Sequence, residues 1–274
     1  MSLNFCILAS GSSGNCSVIW TEEAAILVDC GCSARYIMEN LASLGIPPEN
    51  LTATVITHVH TDHISTSGFS FLLKNNIPIY LHKDIFEDLS RKYAKKVAKC
   101  INISFNKTFK VKDIVVDSFD VYHKDAHISH TLGFTFSSIV NVKKYKIGYV
   151  TDTGKICSKI IKSLVNSNIL VMESNYNKTM LDSSFRPYDN KKWILSDWGH
   201  LSNESAASAI AEIKRLSTDN ESLKYVFLAH ISSHHNTREI AVNTTRKILI
   251  REGTSNINLL IPKRDRRCPA IRIS

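Results

Sequence analysis

The segment Thr57-His58-Val59-His60-Thr61-Asp62-His63 places four metal-capable side chains within six residues, directly after the apolar run Ala53-Thr54-Val55-Ile56. Residues two apart on extended chain point to one side, so His58 and His60 can grip one ion. A turn after His60 lets Asp62 and His63 face a second. This spacing is that of half a two-ion site. The plain alternative is a histidine-rich surface loop, but such a loop needs neither a buried strand leading into it nor an aspartate between its histidines.

A complete site of this kind needs a bridging carboxylate and further imidazoles, each delivered by the end of a strand. Tyr145 to Val150 reads as a strand that runs into Thr151-Asp152-Thr153-Gly154, which makes Asp152 the candidate bridge. Tyr225 to Ala229 reads as a buried strand followed at once by His230, the candidate last ligand of the second ion. Ile114 to Tyr122 leads to His123, with His127 and His130 close behind. One of the three completes the first ion, and His123 is favoured because it comes straight off the strand.

In this order His58, His60, Asp62, His63, His123, Asp152 and His230 resemble the ligand series of the metallo-β-lactamase-fold hydrolases, over nearly the whole chain. Leu8-Ala9-Ser10-Gly11-Ser12-Ser13-Gly14-Asn15-Cys16, Ile26-Leu27-Val28-Asp29-Cys30-Gly31, Glu173-Ser174-Asn175, Ile194-Leu195-Ser196-Asp197 and Gly199-His200-Leu201-Ser202-Asn203-Glu204 resemble the YycJ/WalJ-type branch, bacterial relatives of RNase Z. Two features depart from that branch. The stretch from His123 to Gly133 is longer than its pattern, and His230 is followed by Ile231-Ser232-Ser233-His234-His235 where a paired asparagine is usual.

The resemblance implies a four-layer αββα sandwich, two divalent ions, and DNA exonuclease activity. Imidazole with carboxylate and no thiolate suits zinc first and manganese second. Such a pair of ions lowers the pKa of water towards neutrality and offsets charge on phosphate oxygens. His200 resembles the proton-donating histidine of the RNase Z relatives and Glu173 the carboxylate that orients it; with Asp62 these are the expected catalytic residues. Without the resemblance, His200 reads only as a residue beside the helix cap Ser202.

Other residues have two readings each. Asp29, ending Ile26-Leu27-Val28, is expected to hold a ligand or the metal-motif loop by hydrogen bonds. Ser12 and Asn15 could cradle phosphate, or belong to a simple turn. Ser232 could bond a phosphate, or cap the chain after His230. His82 and His234 are read as structural or exposed. Trp193 and Trp198 could stack a base, but core packing is the expected role.

The elements that must position these groups follow from periodicity. Strands are expected at Leu3 to Leu8, Ser17 to Trp20, Ala24 to Val28, Ile77 to Leu81 and Ile169 to Met172, with a final one at Ile257 to Ile261. Helices are expected after the cap Ser33, at Phe69 to Lys74, Asp84 to Lys99, Ser205 to Leu216 and Ile240 to Ile250. At 274 residues with 43% hydrophobic content, the chain suits a single α/β domain, residues 1–274.

Seven cysteines without regular spacing argue against a disulfide framework and for a reducing compartment. No basic opening marks a signal peptide and no run reaches the ~20 apolar residues of a membrane helix, so a soluble, cytoplasmic protein is expected. Lys and Arg total 34 against 25 acidic residues, a surplus of +9. Arg91, Lys92, Lys95, Lys96 and Lys99 share a helix face, with Lys92 and Lys96 as candidate substrate contacts, and Lys263, Arg264, Arg266 and Arg267 crowd the C-terminus. A solvated face is the ordinary use of such charge. Beside a two-ion hydrolytic site, it favours a nucleic-acid backbone, and the resemblance implies DNA over RNA. A small-molecule hydrolase acting on a cyclic phosphodiester, thioester or lactam is the alternative, and a non-catalytic, metal-stabilised nucleic-acid-binding protein is a further one.

Overall fold

The computed structural model describes residues 2–93, 100–103, 108–218, 223–264 and 266–274. Among these, strands form two sheets. The first has the order β14-β1-β2-β3-β4-β5-β6, built from Ile271–Ile273 (β14), Leu3–Ala9 (β1), Cys16–Trp20 (β2), Ala25–Val28 (β3), Ala53–Val55 (β4), Ile79–His82 (β5) and Cys100–Ile103 (β6). The second runs β13-β12-β11-β10-β9-β8-β7, from Asn258–Leu260 (β13), Tyr225–Ala229 (β12), Ile169–Glu173 (β11), Lys143–Val150 (β10), Leu132–Val140 (β9), Ile114–Asp120 (β8) and Thr108–Val111 (β7).

Period-two alternation explains why the sheets stack. In β10, Ile147 and Tyr149 join the cluster that contains Phe5 and Ile7, whereas Val150 faces the other way. Phe227 of β12 likewise meets Phe5 of β1 edge-on at 5.1 Å, while Val226 and Leu228 point to the opposite face. That outer face is covered by Ser158–Leu164 (α4), Asn203–Leu216 (α7) and Arg238–Arg251 (α8) through Ile160, Leu164, Ala206, Ile210, Ala241 and Leu249. Ala34–Ser43 (α1), Thr66–Lys74 (α2) and Lys83–Tyr93 (α3) bury Ile37, Leu41, Phe69, Leu72, Ile85 and Leu89 on the first sheet. The result is the αββα sandwich. None of the described helices is long and apolar enough to cross a membrane.

One expectation about elements changes. Ile257 to Ile261 does not end the fold: Asn258–Leu260 is the edge of the second sheet, and the chain returns to pair Ile271–Ile273 antiparallel with Leu3–Phe5. A three-residue strand has too little alternation to announce itself. The helix expected over Asp84 to Lys99 runs over Lys83–Tyr93. Residues 94–99 lie outside the described residues.

Candidate metal centre

Site residues cluster where parallel strands end. Thr57 to His63 follows β4, Asp152 follows β10, His230 follows β12 and Asp29 follows β3. Asp29, Asp152 and His230 all adopt left-handed backbone, with φ of 62°, 54° and 53°. That conformation costs a non-glycine residue ~1–2 kcal/mol. It turns the side chain across the strand end. Gly31 makes the close approach possible: a Cβ there would lie 1.7 Å from the carbonyl oxygen of Asp62.

The structure brings the seven expected ligands together. His58, His60 and His123 converge in one group, Asp62, His63 and His230 in a second, and Asp152 meets both through His63 and His58. His123 is thus the third imidazole of the first group. His127 is exposed, and His130 instead stacks on His82 at 4.1 Å with its Nε2 2.8 Å from Asp120.

Each imidazole is held from behind, which fixes which nitrogen faces inward. His63 Nδ1 donates to Asp29 Oδ2 at 2.7 Å, His60 Nε2 to Asp125 Oδ2 at 3.0 Å and His123 Nδ1 to Gly199 O at 2.8 Å. His230 Nδ1 donates to Glu173 Oε1 at 3.0 Å. The single proton of the Thr57 hydroxyl goes to Asp29, so Thr57 Oγ1 accepts from His58 Nδ1 at 3.1 Å. Bare lone pairs are left pointing inward: His58 Nε2 and His60 Nδ1 lie 3.1 Å apart. Two such lone pairs repel unless a cation lies between them.

Further observations fit a metal. His123 Nε2 is buried without a hydrogen-bond partner, and a desolvated polar atom is costly unless something ligates it. The electrostatics show a deficit of positive charge. Burial pushes the His63 and His230 pKa values down, but Asp152 and its neighbouring carboxylates outweigh it, leaving His63 well above its ordinary value and His230 at about 10. Asp62 falls to about 2 because His63 and His230 overcome its burial. Protons on these rings stand where cations would. Burial, helped by the neighbouring His63, holds His58 well below its ordinary value, and burial with His200 holds His123 at about 4.

Glu173 is fully buried and does two jobs. Its Oε1 accepts from His200 Nδ1 at 2.8 Å as well as from His230, while Oε2 accepts the Thr153 and Leu201 N–H groups. His200 is partly exposed and borders a cavity of about 390 Å³ together with Asp62, Asp152, Ser12, Ser232 and Trp193.

Several expected roles change. Asn15 does not face that cavity: it is 1% exposed, donates to Asp62 Oδ2 at 3.1 Å and accepts the Gly11 N–H, so it positions the Asp62 carboxylate. Ser232 accepts the N–H groups of His234 and His235, the capping role, and also reaches the cavity. Ser12 accepts from Arg264 at 3.1 Å, which brings the C-terminal basic cluster to the rim. Core packing fails for Trp198, which is 48% exposed, whereas Trp193 packs against the small cluster of Tyr176, Leu181 and Ile194 and stands edge-on to His200 at 5.4 Å. The Lys92 side chain, Lys95, Lys96 and Lys99 lie outside the described residues. Asp125 and Thr57 escaped the sequence reading, because only the folded approach of their segments shows what they hold.

Comparison with known proteins agrees with this geometry. Residues 24–231 match the Beta-lactamase superfamily domain, and the chain belongs to that superfamily of metal-dependent hydrolases, whose members use divalent metal ions. It is 30% identical over 256 residues to Exodeoxyribonuclease YycJ of Bacillus anthracis, covering 92% of this chain and 91% of the relative. It is 33% identical over 240 residues to Exodeoxyribonuclease WalJ of Streptococcus pneumoniae, covering 86% of this chain and 84% of the relative. The crystal structure of the metallo-β-lactamase fold protein YhfI from Bacillus subtilis superimposes with a TM-score of 0.69 at 14% identity, over 98% of this chain and 99% of that one, which shows the shared fold.

Proposed function

We propose that the chain is a metal-dependent phosphodiesterase that shortens nucleic acid, with DNA as its substrate and two divalent ions, zinc before manganese, as its cofactors. His58, His60 and His123 would hold one ion, Asp62, His63 and His230 the other, and Asp152 would bridge. When bound, such ions lower the pKa of water and offset charge on phosphate oxygens. The chain's own contribution is at the leaving group. Glu173 fixes the His200 ring through Nδ1, so Nε2 carries the proton or is free to exchange it at the cavity face.

The observation that carries this reading is the Glu173–His200 pair, set with His200 Nδ1 3.8 Å from Asp152 Oδ1. A proton donor beside a two-cation site suits an alkoxide leaving group, as in a phosphodiester. The basic surplus and Arg264 at the rim support a polyanionic substrate, as do the names of the two relatives. No disulfide joins Cys6, Cys16, Cys30, Cys32, Cys157 and Cys268, which suits a reducing cytosol, where we place the protein.

The test is incubation of metal-stripped protein, reloaded with zinc or manganese, with end-labelled single- and double-stranded DNA and RNA. Shortening of DNA by the reloaded protein alone is the expected result. Intact nucleic acid under every condition, with hydrolysis of a small cyclic phosphodiester, would select the small-molecule reading that the modest cavity favours. That activity should hardly respond to salt, since a small substrate releases few counterions.

A further inference from the structure

The stretch between β11 and α7 carries two short helices, Lys178–Asp182 (α5) and Tyr188–Ile194 (α6), on a small core of its own made by Tyr176, Leu181, Ile194 and Trp193. Trp193 Nε1 donates to Lys124 O at 3.2 Å and Lys191 Nζ to Asp182 O at 2.7 Å, which tie the segment down. Between the helices stands Phe185-Arg186-Pro187-Tyr188, all exposed, with Pro187 fixing the backbone at φ −51°. Phe185 is 106% exposed and Tyr188 77%. Single exposed apolar residues are ordinary. Two exposed aromatic rings on either side, in sequence, of an arginine that lines the cavity of the metal centre are not.

Arg186, Asn190 and Trp193 of this segment line the same cavity as Asp62, Asp152 and His200. Arg186 is exposed yet lines the cavity beside His235, whose imidazole burial and then the Arg186 charge hold below its ordinary pKa. At about 390 Å³ the cavity lies low in the roughly 300–1,000 Å³ range of small-ligand sites. It has room for one nucleotide of a strand, and the strand beyond must cross the rim.

We propose that Phe185 and Tyr188 form a platform on which bases of a single strand stack while its scissile phosphate enters the cavity, with Arg186 holding a backbone phosphate between them. This rests on the nuclease reading above. Every base has a π-face, so the platform binds single strands with little regard to sequence, and a duplex, whose bases are already stacked, gains nothing from it.

The experiment compares the metal-loaded protein with Phe185→Ala/Tyr188→Ala on a single-stranded oligonucleotide, the same strand with abasic sites, and bis(p-nitrophenyl) phosphate. The double variant should raise KM for the single strand on the order of ten-fold, leaving kcat and the small diester nearly unchanged. Wild type on the abasic strand should resemble the variant on the normal one, and Phe185→Trp/Tyr188→Trp should restore KM. An unchanged KM in a protein that cleaves DNA overturns the platform and leaves the nuclease reading standing. Equal losses on DNA and small diester also overturn it, since the segment would then merely support the site. A wild type that cleaves the small diester but no nucleic acid overturns both.

Discussion

Asp29 Oδ2 lies 2.7 Å from His63 Nδ1, and both side chains are fully buried. The same carboxylate accepts the backbone N–H of Thr57 at 2.8 Å and its hydroxyl at 2.9 Å. Through Thr57 it reaches His58, and directly it reaches His63. One residue at the end of β3 therefore sets the ring orientation in both ligand groups. Burial drives its pKa up, with His63 and Thr57 opposing, so the pair depends on staying together.

Asp29→Asn should keep the shape but lose the charge that favours the His63 Nδ1–H tautomer. We expect ion affinity in the second group to fall about 10–100-fold, the usual effect of losing a partner behind a ligand. Asp29→Ala should also cost about 3–5 kcal/mol in the metal-free protein, because it strands a buried partner. Chelator competition measures the first effect and urea unfolding the second. Native affinity in Asp29→Asn would mean that Thr57 alone suffices to orient the rings.

Asp152→Ala should lower the divalent ion content from two per chain to one or fewer, by elemental analysis after dialysis. His123→Ala should lose one ion, whereas His127→Ala and His130→Ala should keep both. Two ions retained by Asp152→Ala would remove it as the bridge.

Most residues of the candidate site were legible because each follows a strand whose apolar run is plain in the sequence. His123 was not separable from His127 and His130, since the irregular stretch 121–131 gives no clue to direction. In the fold His123 points at His58 while His130 turns away to His82 and Asp120. Asn15 misled for a related reason. A small polar turn after a strand looks the same whether it faces a ligand or, as here, the backbone and carboxylate of Asp62. The second duty of Glu173 was hidden because His230 arrives from a strand 57 residues later in sequence. The sandwich itself was readable from alternation, but not the closing strand Ile271–Ile273, which is too short.

Gly31→Ala tests the close approach of the two loops. An added methyl would meet the Asp62 carbonyl oxygen at 1.7 Å and the Asn15 nitrogen at 2.8 Å, backbone atoms that cannot swing aside. The variant should bind its second ion weakly and melt lower than wild type even when loaded with zinc, whereas Gly253→Ala, with open space around it, should bind as wild type. Normal ion binding by Gly31→Ala would show that the loop can move without losing its ligands.

Lys146 gives a pH signature away from the metal centre. Its Nζ donates to Ser163 O at 2.6 Å and Val165 O at 2.9 Å, at the end of α4, and burial, followed by Lys144, lowers its pKa to about 8. In the unfolded chain it returns to its ordinary 10.5. Between those values the unfolded state binds more protons, so this residue's contribution to stability rises with pH through the window and is lowest below about 8. Wild type should therefore gain on Lys146→Met in urea midpoint between pH 7.5 and 10, other groups cancelling in the difference. A gap independent of pH would mean that the two carbonyls fully restore the solvation lost on burial.

His200→Ala separates making the nucleophile from serving the leaving group. The ring lies close to Asp152 and His230, but its Nδ1 is taken up by Glu173 Oε1 at 2.8 Å and its other edge lines the cavity. Ion content should therefore stay at the wild-type level. Cleavage of DNA should slow by on the order of 10²–10⁴, the range for a lost general acid. A p-nitrophenyl phosphodiester leaves readily without a proton and should suffer far less. Glu173→Gln is the less clean variant, because the same oxygen also holds His230 and its loss should weaken ion binding as well as slow DNA cleavage. Equal damage by His200→Ala on both substrates, with ion content intact, would make His200 a positioning residue and move the search for the proton donor elsewhere in the cavity.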